Sequence, residues 1–466
     1  MNDIKAAAAA RTRDPGPAAV GQDAPVSTDQ RPDAADDEVV DLCRELIRID
    51  SSNYGDGSGP GEREAAEYVA AKLSDVGLDV TTLESAPRRT SVITRIAGTD
   101  PTRPALLVHG HLDVVPARAE DWQVDPFSGE VRDGCVWGRG AVDMKDMDAM
   151  ILASVRSMLR SGRRPRRDVV VCFLADEEDG SRMGSHWLAD HHADLFEGCT
   201  EAVGEVGGFS LTLDGQRLYL VETAEKGIAW LKLVARGRAG HGSMANDENA
   251  VVLLSEALAR IGRHEWPMEL QGPVRALLDE CAEVLGVDYD HTDLDSVRGL
   301  ISRLGSIGRM IEPTLHDTAN PTMLDAGYKV NVVPGEATAY VDGRFLPGHE
   351  ASFLATIDEL MGEYVRREDR HRDIAVSTDF SGDLVDLMRT SIQAEDPGAR
   401  VVPYMLSGGT DGKAFSGLGI RCFGFAPLRL PPDLDFAGMF HGVDERVPVD
   451  GLRFGARVLE RFLLDA

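Results

Sequence analysis

The sequence lacks the features that define several large classes of protein. Its six cysteines are scattered and include no CxxC pair, which argues against a disulfide framework and fits a reducing compartment. Lys and Arg number 49 against 78 Asp and Glu, and the net charge of −29 comes with no basic stripe for nucleic acid or anionic membrane. No apolar run approaches the roughly 20 residues of a membrane span, and the N-terminus has no sustained apolar signal core. We therefore expect a cytoplasmic protein that binds neither nucleic acid nor membrane.

The length of the chain and the order of its elements predict two domains. At 466 residues the chain exceeds the usual domain size of about 50–250 residues. Residues 1–37, rich in Ala, Pro, Asp and Gly, predict a disordered leader. Helical and strand-like segments alternate through 38–223 and again through 383–466, which is typical of an α/β domain whose mixed, mostly parallel sheet has helices on both faces. The intervening residues 224–382 predict an inserted, smaller α+β domain.

A histidine and an aspartate follow the most apolar strand-like run. Residues 105–108 predict a buried strand, and His111 and Asp113 come just after it. Ligands of open α/β sheets collect past the carboxyl ends of such strands, so His111 could bind a metal while Asp113 accepts its second N–H. Two polar residues that cap a loop are the alternative. His109 shares a face with His111 on an extended strand, so alternation alone leaves it open as a ligand.

Further carboxylates and a second histidine stand near predicted element ends. Asp143 precedes a helix, where it could also serve as an N-cap. The four consecutive carboxylates at 176–179 follow a predicted buried strand and repel one another unless a cation compensates, although a solvated loop could also carry them. Glu205 and His441 lie near other junctions. Mixed imidazole and carboxylate ligands suit zinc, cobalt or manganese, and their number suits two metals bridged by a carboxylate and a water.

These segments together resemble the M20 metallopeptidase family, which contains glutamate carboxypeptidase, aminoacylase, acetylornithine deacetylase and succinyl-diaminopimelate desuccinylase. The resemblance covers nearly the whole chain after residue 37 and follows the family's order of motifs. In this sequence the motifs read HGHLDVVP, GRGAVDMK, ADEEDGS, GHGSMA, NVVPGE, GRFLPG, SGGTDG and FHGVDERV. One departure from the family pattern occurs after the aspartate of the second motif. The family's common form there is Asp-x-Lys-Gly-Gly, whereas this chain has Asp146 at the position of the first glycine. We interpret this difference as a feature of a subfamily.

The resemblance implies a ligand set for two zinc ions per subunit, with cobalt or manganese as substitutes. His111 and Glu205 would hold one ion, Glu178 and His441 the other, and Asp143 would bridge them.

The resemblance also implies the catalytic groups. Glu177 would be the general base that takes a proton from the metal-bridging water and passes it to the leaving nitrogen. Asp113 would orient His111 through its second N–H. His241 resembles the family residue that reaches from a partner subunit to stabilise the oxyanion, so the protein would be a homodimer. The larger domain would then be catalytic, and the inserted domain would serve dimerisation and act as a lid.

Residues of the inserted domain and of one later loop would bind the substrate. Arg344 looks like the anchor for a substrate carboxylate, because its fork binds carboxylates bidentately, and Asn331 matches a residue of the substrate site. Taken singly, His241, Arg344 and Asn331 would be ordinary loop or turn residues. The loop at 407–412 would contribute the backbone of Gly408 and Gly409 and the hydroxyl of Thr410.

The resemblance therefore implies a dizinc hydrolase that cleaves a peptide or N-acyl amide bond next to a free carboxylate. The sequence does not choose between a carboxypeptidase acting on small peptides and a deacylase acting on N-acyl amino acids. Two alternatives stand beside it: a dizinc aminopeptidase that recognises a free N-terminus, and a metal- or ligand-binding protein without catalysis.

Overall fold

The computed structural model describes residues 35–466, which form one compact unit. Most of the predicted leader, residues 1–34, lies outside the described residues. The first helix begins at Ala35, three residues before the predicted start of the α/β domain. None of the helices in the described range combines the length and apolarity that a bilayer crossing requires.

The helices and strands follow one another as the alternating pattern predicts. The helices are α1 (Ala35–Ile47), α2 (Arg63–Ser74), α3 (Lys145–Arg160), α4 (Ser185–His191), α5 (Ala250–Gly262), α6 (Gly272–Leu285), α7 (Leu294–Ile301), α8 (Ser306–Ile311), α9 (Glu350–Met361), α10 (Asp383–Glu395), α11 (Gly412–Gly417) and α12 (Val449–Asp465). The strands are β1 (Thr81–Ala86), β2 (Arg89–Ile96), β3 (Ala105–His111), β4 (Glu130–Arg132), β5 (Cys135–Trp137), β6 (Val169–Leu174), β7 (Cys199–Gly204), β8 (Phe209–Leu213), β9 (Gln216–Glu225), β10 (Gly227–Arg236), β11 (Gly240–His241), β12 (Thr318–Ala326), β13 (Val332–Val333), β14 (Glu336–Phe345), β15 (Val365–Asp373), β16 (Val376–Ser377), β17 (Arg400–Leu406), β18 (Arg421–Gly424) and β19 (Arg446–Pro448).

The large sheet has ten strands, and its centre is parallel. The order β6-β3-β7-β18 is parallel throughout, whereas β1 and β2 add antiparallel strands at one edge. Alternate residues of β6 enter different hydrophobic clusters: Val171 packs with α3 and α12, while Cys172 packs with α4 and α11. Helices therefore cover both faces, which confirms the predicted α/β class.

A separate antiparallel sheet has the order β12-β14-β10-β15, and α5 and α9 pack on one of its faces. The chain enters this small sheet between β9 and β10 and returns to the large sheet between β15 and β16. The predicted limits of the inserted domain, 224 and 382, stay a prediction.

One part of the predicted insertion belongs structurally to the large sheet. Helices α6, α7 and α8 bury Val274, Val297 and Ile307, respectively, in the same hydrophobic cluster as Leu220 of β9 and Tyr404 of β17. The segment between residues 272 and 311 is therefore a cover for β9 and β17, and it brings α8 beside the site described next.

Candidate active site

The carboxyl ends of the central parallel strands hold the predicted ligands. His111 is the last residue of β3, Glu178 lies in the short 3-10 turn after β6, and Glu205 follows β7 directly. Because parallel strands end at one edge of a sheet, these side chains converge there. Asp143 reaches the same point from just before α3, and His441 from the loop before β19.

Asp143 lies between the two histidines and presents one carboxylate oxygen to each. Its Oδ1 is 3.1 Å from His111 Nε2, and its Oδ2 is 3.1 Å from His441 Nε2. Glu205 Oε2 lies 3.3 Å from His111 Nε2, and Glu178 Oε2 lies 3.0 Å from His441 Nε2. The structure thus brings the five predicted ligands together as two trios that share Asp143, and the ligand atoms of each trio lie within 4.8 Å of one another.

The charges of this cluster favour a cation. Burial raises the pKa of Glu205 to about 8, and burial followed by the charge of Asp143 raises the pKa of Glu178. The hydrogen bonds that the carboxylates of Asp143 and Glu178 accept from His441 raise the pKa of His441 to about 10. The protein groups therefore retain protons to balance excess negative charge, a task that divalent ions would perform instead.

The donor set fits divalent metals of intermediate softness. Each trio supplies one imidazole nitrogen and two carboxylates, with Asp143 in both, and no cysteine is among them. Such mixed nitrogen and oxygen ligands suit zinc, cobalt or manganese, and three protein ligands leave a position open for a reactant.

Asp113 organises the turn that carries the two glutamates. The backbone N–H groups of Glu177 and Glu178 donate to its two carboxylate oxygens, each at 3.1 Å, and Asn53 Nδ2 donates to Oδ2 at 2.9 Å. The contact with His111 differs in detail from the sequence prediction, since Nδ1 bonds the backbone carbonyl of Asp113 at 2.9 Å. The Asp113 carboxylate lies farther away, at 3.6 Å.

Glu445 fixes the bridging aspartate, a role that sequence reasoning missed. Its Oε1 accepts the backbone N–H of Val142 at 2.6 Å and that of Asp143 at 3.1 Å, while Oε2 pairs with Arg139 at 2.7 Å. It is fully buried. The only signal in the sequence is its place in the FHGVDERV motif, four residues after His441.

His109 belongs to the packing under the site. Its ring contacts Phe415 at 5.0 Å between centroids, and a Cβ on Gly204 would lie 2.3 Å from one of its carbons. Burial lowers the pKa of His109 to about 3, so the ring is neutral. The ligand trios do not include it.

Asp146, the departure from the family pattern, is not part of the ligand trios. It is buried in the first turn of α3, and burial raises its pKa well above the ordinary value. Nothing in the structure explains why this chain has an aspartate there.

A cavity of about 450 Å³ opens onto the cluster. Glu177 lines it, with Oε2 3.9 Å from His111 Nε2, and burial and the charge of Glu205 raise the pKa of Glu177. A carboxylate with a raised pKa is a stronger base than an exposed one. The predicted loop residues Gly408 and Gly409 also line the cavity, whereas the Thr410 hydroxyl donates to Glu225 at 2.6 Å.

Two predicted substrate-binding residues, Arg344 and Asn331, and the predicted catalytic residue His241 lie outside this cavity's lining. Arg344, on β14, forms a two-point contact with Asp342, at 2.7 and 3.2 Å. His241 and Asn331 lie together on an exposed unit in which β11 pairs with β13, and the Gly242 N–H donates to the Asn331 carbonyl at 2.9 Å.

The fold and the site define a metal-dependent hydrolase of the peptidase and amidohydrolase type. The sequence profile of peptidase family M20/M25/M40 matches residues 107–465, and the chain belongs to this family.

The similarity to known proteins extends over most of the chain. An N-fatty-acyl-amino acid synthase/hydrolase PM20D1 from Xenopus tropicalis is 26% identical over 442 residues, which is 89% of this chain and 83% of the relative. Aminoacylase-1 from Sus scrofa is 24% identical and covers 88% of this chain and 90% of its own. The crystal structure of an M20 family metallo-carboxypeptidase, Sso-CP2 from Sulfolobus solfataricus, superposes with a TM-score of 0.70 at 18% identity, over 91% of this chain and 98% of that one.

The metal-free protein should lose stability as the pH rises. An acid whose folded pKa is raised holds its proton more tightly in the folded state, so the contribution of Glu205 to stability falls as the pH rises from its ordinary pKa of 4.5 to about 8. His441 has the same sign, because its contribution is lost as the pH rises towards about 10. We expect a loss on the order of a few kcal/mol from about pH 5 to 8. Thermal unfolding of chelator-treated protein across this range measures it. Added zinc should cancel the loss, and a metal-free protein that is more stable at the higher pH would contradict the charge argument.

Glu445→Gln should weaken metal binding by about 10–100-fold, because the amide places N–H groups against Arg139 and loosens the support of Asp143. Competition with a chelating indicator measures the affinity. Glu395→Gln is the matched control, since Glu395 pairs with Arg457 and Arg461 between α10 and α12. Equal affinities of Glu445→Gln and the unmodified protein would exclude this role.

Proposed function

We propose that the protein is a dinuclear zinc hydrolase that cleaves an amide bond next to a free carboxylate, and that its substrate is an N-acyl amino acid rather than a peptide. The observation that carries the proposal is Asp143, which faces two histidine and glutamate pairs from its two oxygens. The names of the relatives, an N-fatty-acyl-amino acid synthase/hydrolase and an aminoacylase, support the choice of acyl group.

Two divalent ions held there would lower the pKa of a water and polarise the scissile carbonyl. Glu177 would take the proton of the attacking water and deliver it to the leaving nitrogen, because it lines the cavity, belongs to neither trio and lies with Oε2 3.9 Å from His111 Nε2. Asp113 holds the Glu177 backbone, so the base keeps its position beside the ligands. A protein that only stores metal has no use for this additional base.

The carboxylate end of the substrate has two sets of candidate partners. The backbone at Gly408 and Gly409 lines the cavity beside Glu177. Arg344 would contribute its guanidinium after exchanging Asp342 for the substrate carboxylate. Arg344 is a proposed anchor because of its position in the GRFLPG motif.

The exposed position of His241 supports a homodimer. Its ring contacts Ser243 Oγ at 2.8 Å, and neither it nor Asn331 lines the cavity of its own chain. In the proposal, the unit formed by β11 and β13 of one protomer completes the site of the partner, where His241 stabilises the oxyanion.

The location we propose is the cytoplasm. All six cysteines lie within the described residues and are free, and four of them are buried. Unpaired buried thiols support a reducing compartment.

Glu177→Ala should abolish turnover without removing metal. We expect both proteins to bind about two zinc ions per chain, and the variant to lose roughly 10²–10⁴-fold in kcat, because the proton transfer is lost. Metal content is measured by elemental analysis, and turnover on a panel of N-acyl amino acids, dipeptides and dipeptides with an amidated carboxyl end. Asp179→Ala is the control, since that neighbour in the acidic run pairs with Arg182.

Other outcomes of this panel contradict parts of the proposal. Little metal in either protein, even after zinc is supplied, excludes the dinuclear assignment. Full metal content without any turnover favours a binding protein. Cleavage that requires a free N-terminus and tolerates an amidated carboxyl end favours the dizinc aminopeptidase.

Mixing two inactive variants should restore activity if His241 acts across a dimer. Random exchange between Glu177→Ala and His241→Ala chains places both defects in one site and leaves the other intact, so about a quarter of wild-type activity should return. Turnover after subunit exchange measures it. The control pair Glu177→Ala and Glu178→Ala should return none, because every site keeps a defect. Confirmed heterodimers without recovery would exclude action across the interface.

A further inference from the structure

The cavity beside the ligand trios has a wall without free hydrogen-bonding side chains. The hydroxyl of Tyr404, which belongs to this wall, donates to the Val206 carbonyl at 2.6 Å and is therefore already paired. The other side chains of the wall are apolar. They are Val206, Phe209, Met310, Met405, Leu406 and Phe440.

Most of the charged side chains of the cavity lie at the candidate metal centre, where Asp143, Glu177, Glu205 and His441 line it. The exposed ion pair of Arg309 with Asp435, at 3.5 Å, lies at the solvent side, and the hydroxyls of Ser306 and Ser407 are the remaining polar side chains besides Tyr404. A peptide that entered along the apolar wall would bury N–H and C=O groups without partners, at a considerable cost in free energy. An unbranched alkyl chain has no such groups and gains from every methylene that leaves water.

We propose that this wall binds the acyl chain of the substrate and that Met310 sets the greatest chain length. The inference rests on the proposed function and names where the acyl half of that substrate lies. Met310 belongs to α8, the end of the helical segment that covers β9 and β17.

Met310 is assigned this role because it separates two cavities. A void of about 10 Å³ lies next to the wall, and Met310, Tyr404 and Met405 line both the void and the large cavity, whereas Leu277 and Ile307 line only the void. Tyr404 is fixed by its hydrogen bond, and Met405 is a buried residue of strand β17. Met310 is only partly buried, and its unbranched side chain adapts easily. Truncation of Met310 would join the void to the cavity.

The test measures binding rather than turnover. Glu177→Ala, loaded with zinc, is titrated in a calorimeter with N-acylglycines from N-acetylglycine to N-myristoylglycine. We expect the affinity to rise roughly fourfold per methylene until the cavity is filled, with a negative heat-capacity change from apolar burial.

Substitutions of Met310 in the same background locate the end of the pocket. Met310→Ala should move the length at which the affinity stops rising to longer chains, and Met310→Phe should move it to shorter ones. Met323→Ala is the matched control, because Met323 is an exposed methionine on β12. Thermal unfolding checks that each variant is folded, and each chain-length profile is normalised to its own N-acetylglycine value.

Two results would overturn the inference: an affinity that does not depend on chain length, or a limit that is the same in the Met310 variants. Failure of the proposed function is a different result. If the Glu177→Ala protein shows the expected profile and the wild type hydrolyses no N-acyl amino acid, the pocket stands and the hydrolysis proposal fails.

Discussion

The arrangement of buried negative charge at one edge of the large sheet governs the rest of this structure. His111, Asp143 and Glu205 are buried, and Glu178 and the more exposed His441 complete the cluster. Burial alone would drive such carboxylates to the neutral form and raises the pKa of Glu178 and Glu205, whereas hydrogen bonds from His111 and His441 lower the pKa of Asp143 despite its burial. The parallel topology brings three strand ends to one place and so places these carboxylates close together. The same arrangement could hold divalent cations.

A second layer of carboxylates keeps this cluster in order. Asp113 accepts the backbone N–H groups of Glu177 and Glu178, and Glu445 accepts that of Asp143. These supports hold the backbone of the ligands instead of their side chains, so the ligand oxygens stay free to face a metal. The supports add further negative charge of their own, which Arg139 offsets in part beside Glu445. Divalent cations at the site would therefore add stability as well as serve the proposed chemistry.

Sequence reasoning predicted those features of the protein that depend on local residue patterns. Apolar runs predict where buried strands end, and His111 and Glu205 follow such runs, so the fold class and the candidate ligands could be predicted together. Glu445 could not, because its role depends on contacts with residues some 300 positions away in the chain. Strand β15 has the sequence VRREDRHRD, whose charges suit an exposed edge strand but give no apolar alternation. The cover formed by α6 to α8 was also missed, since amphipathic helices do not show which sheet they pack on.

One buried lysine, Lys413, contacts both chain segments that connect the two sheets and a residue that supports the cavity loop. The buried Lys413 donates to the carbonyls of Lys226 and Ile374, at 2.7 and 2.9 Å, and these lie in the two chain crossings between the large and the small sheet. It also pairs with Glu225 at 3.1 Å, which in turn accepts two hydrogen bonds from Thr410 in the glycine-rich loop after β17. One ammonium therefore joins both crossings to the loop that lines the cavity. Because a buried lysine left without these partners would be destabilising, these contacts favour the placement of the small sheet relative to this loop that the structure shows.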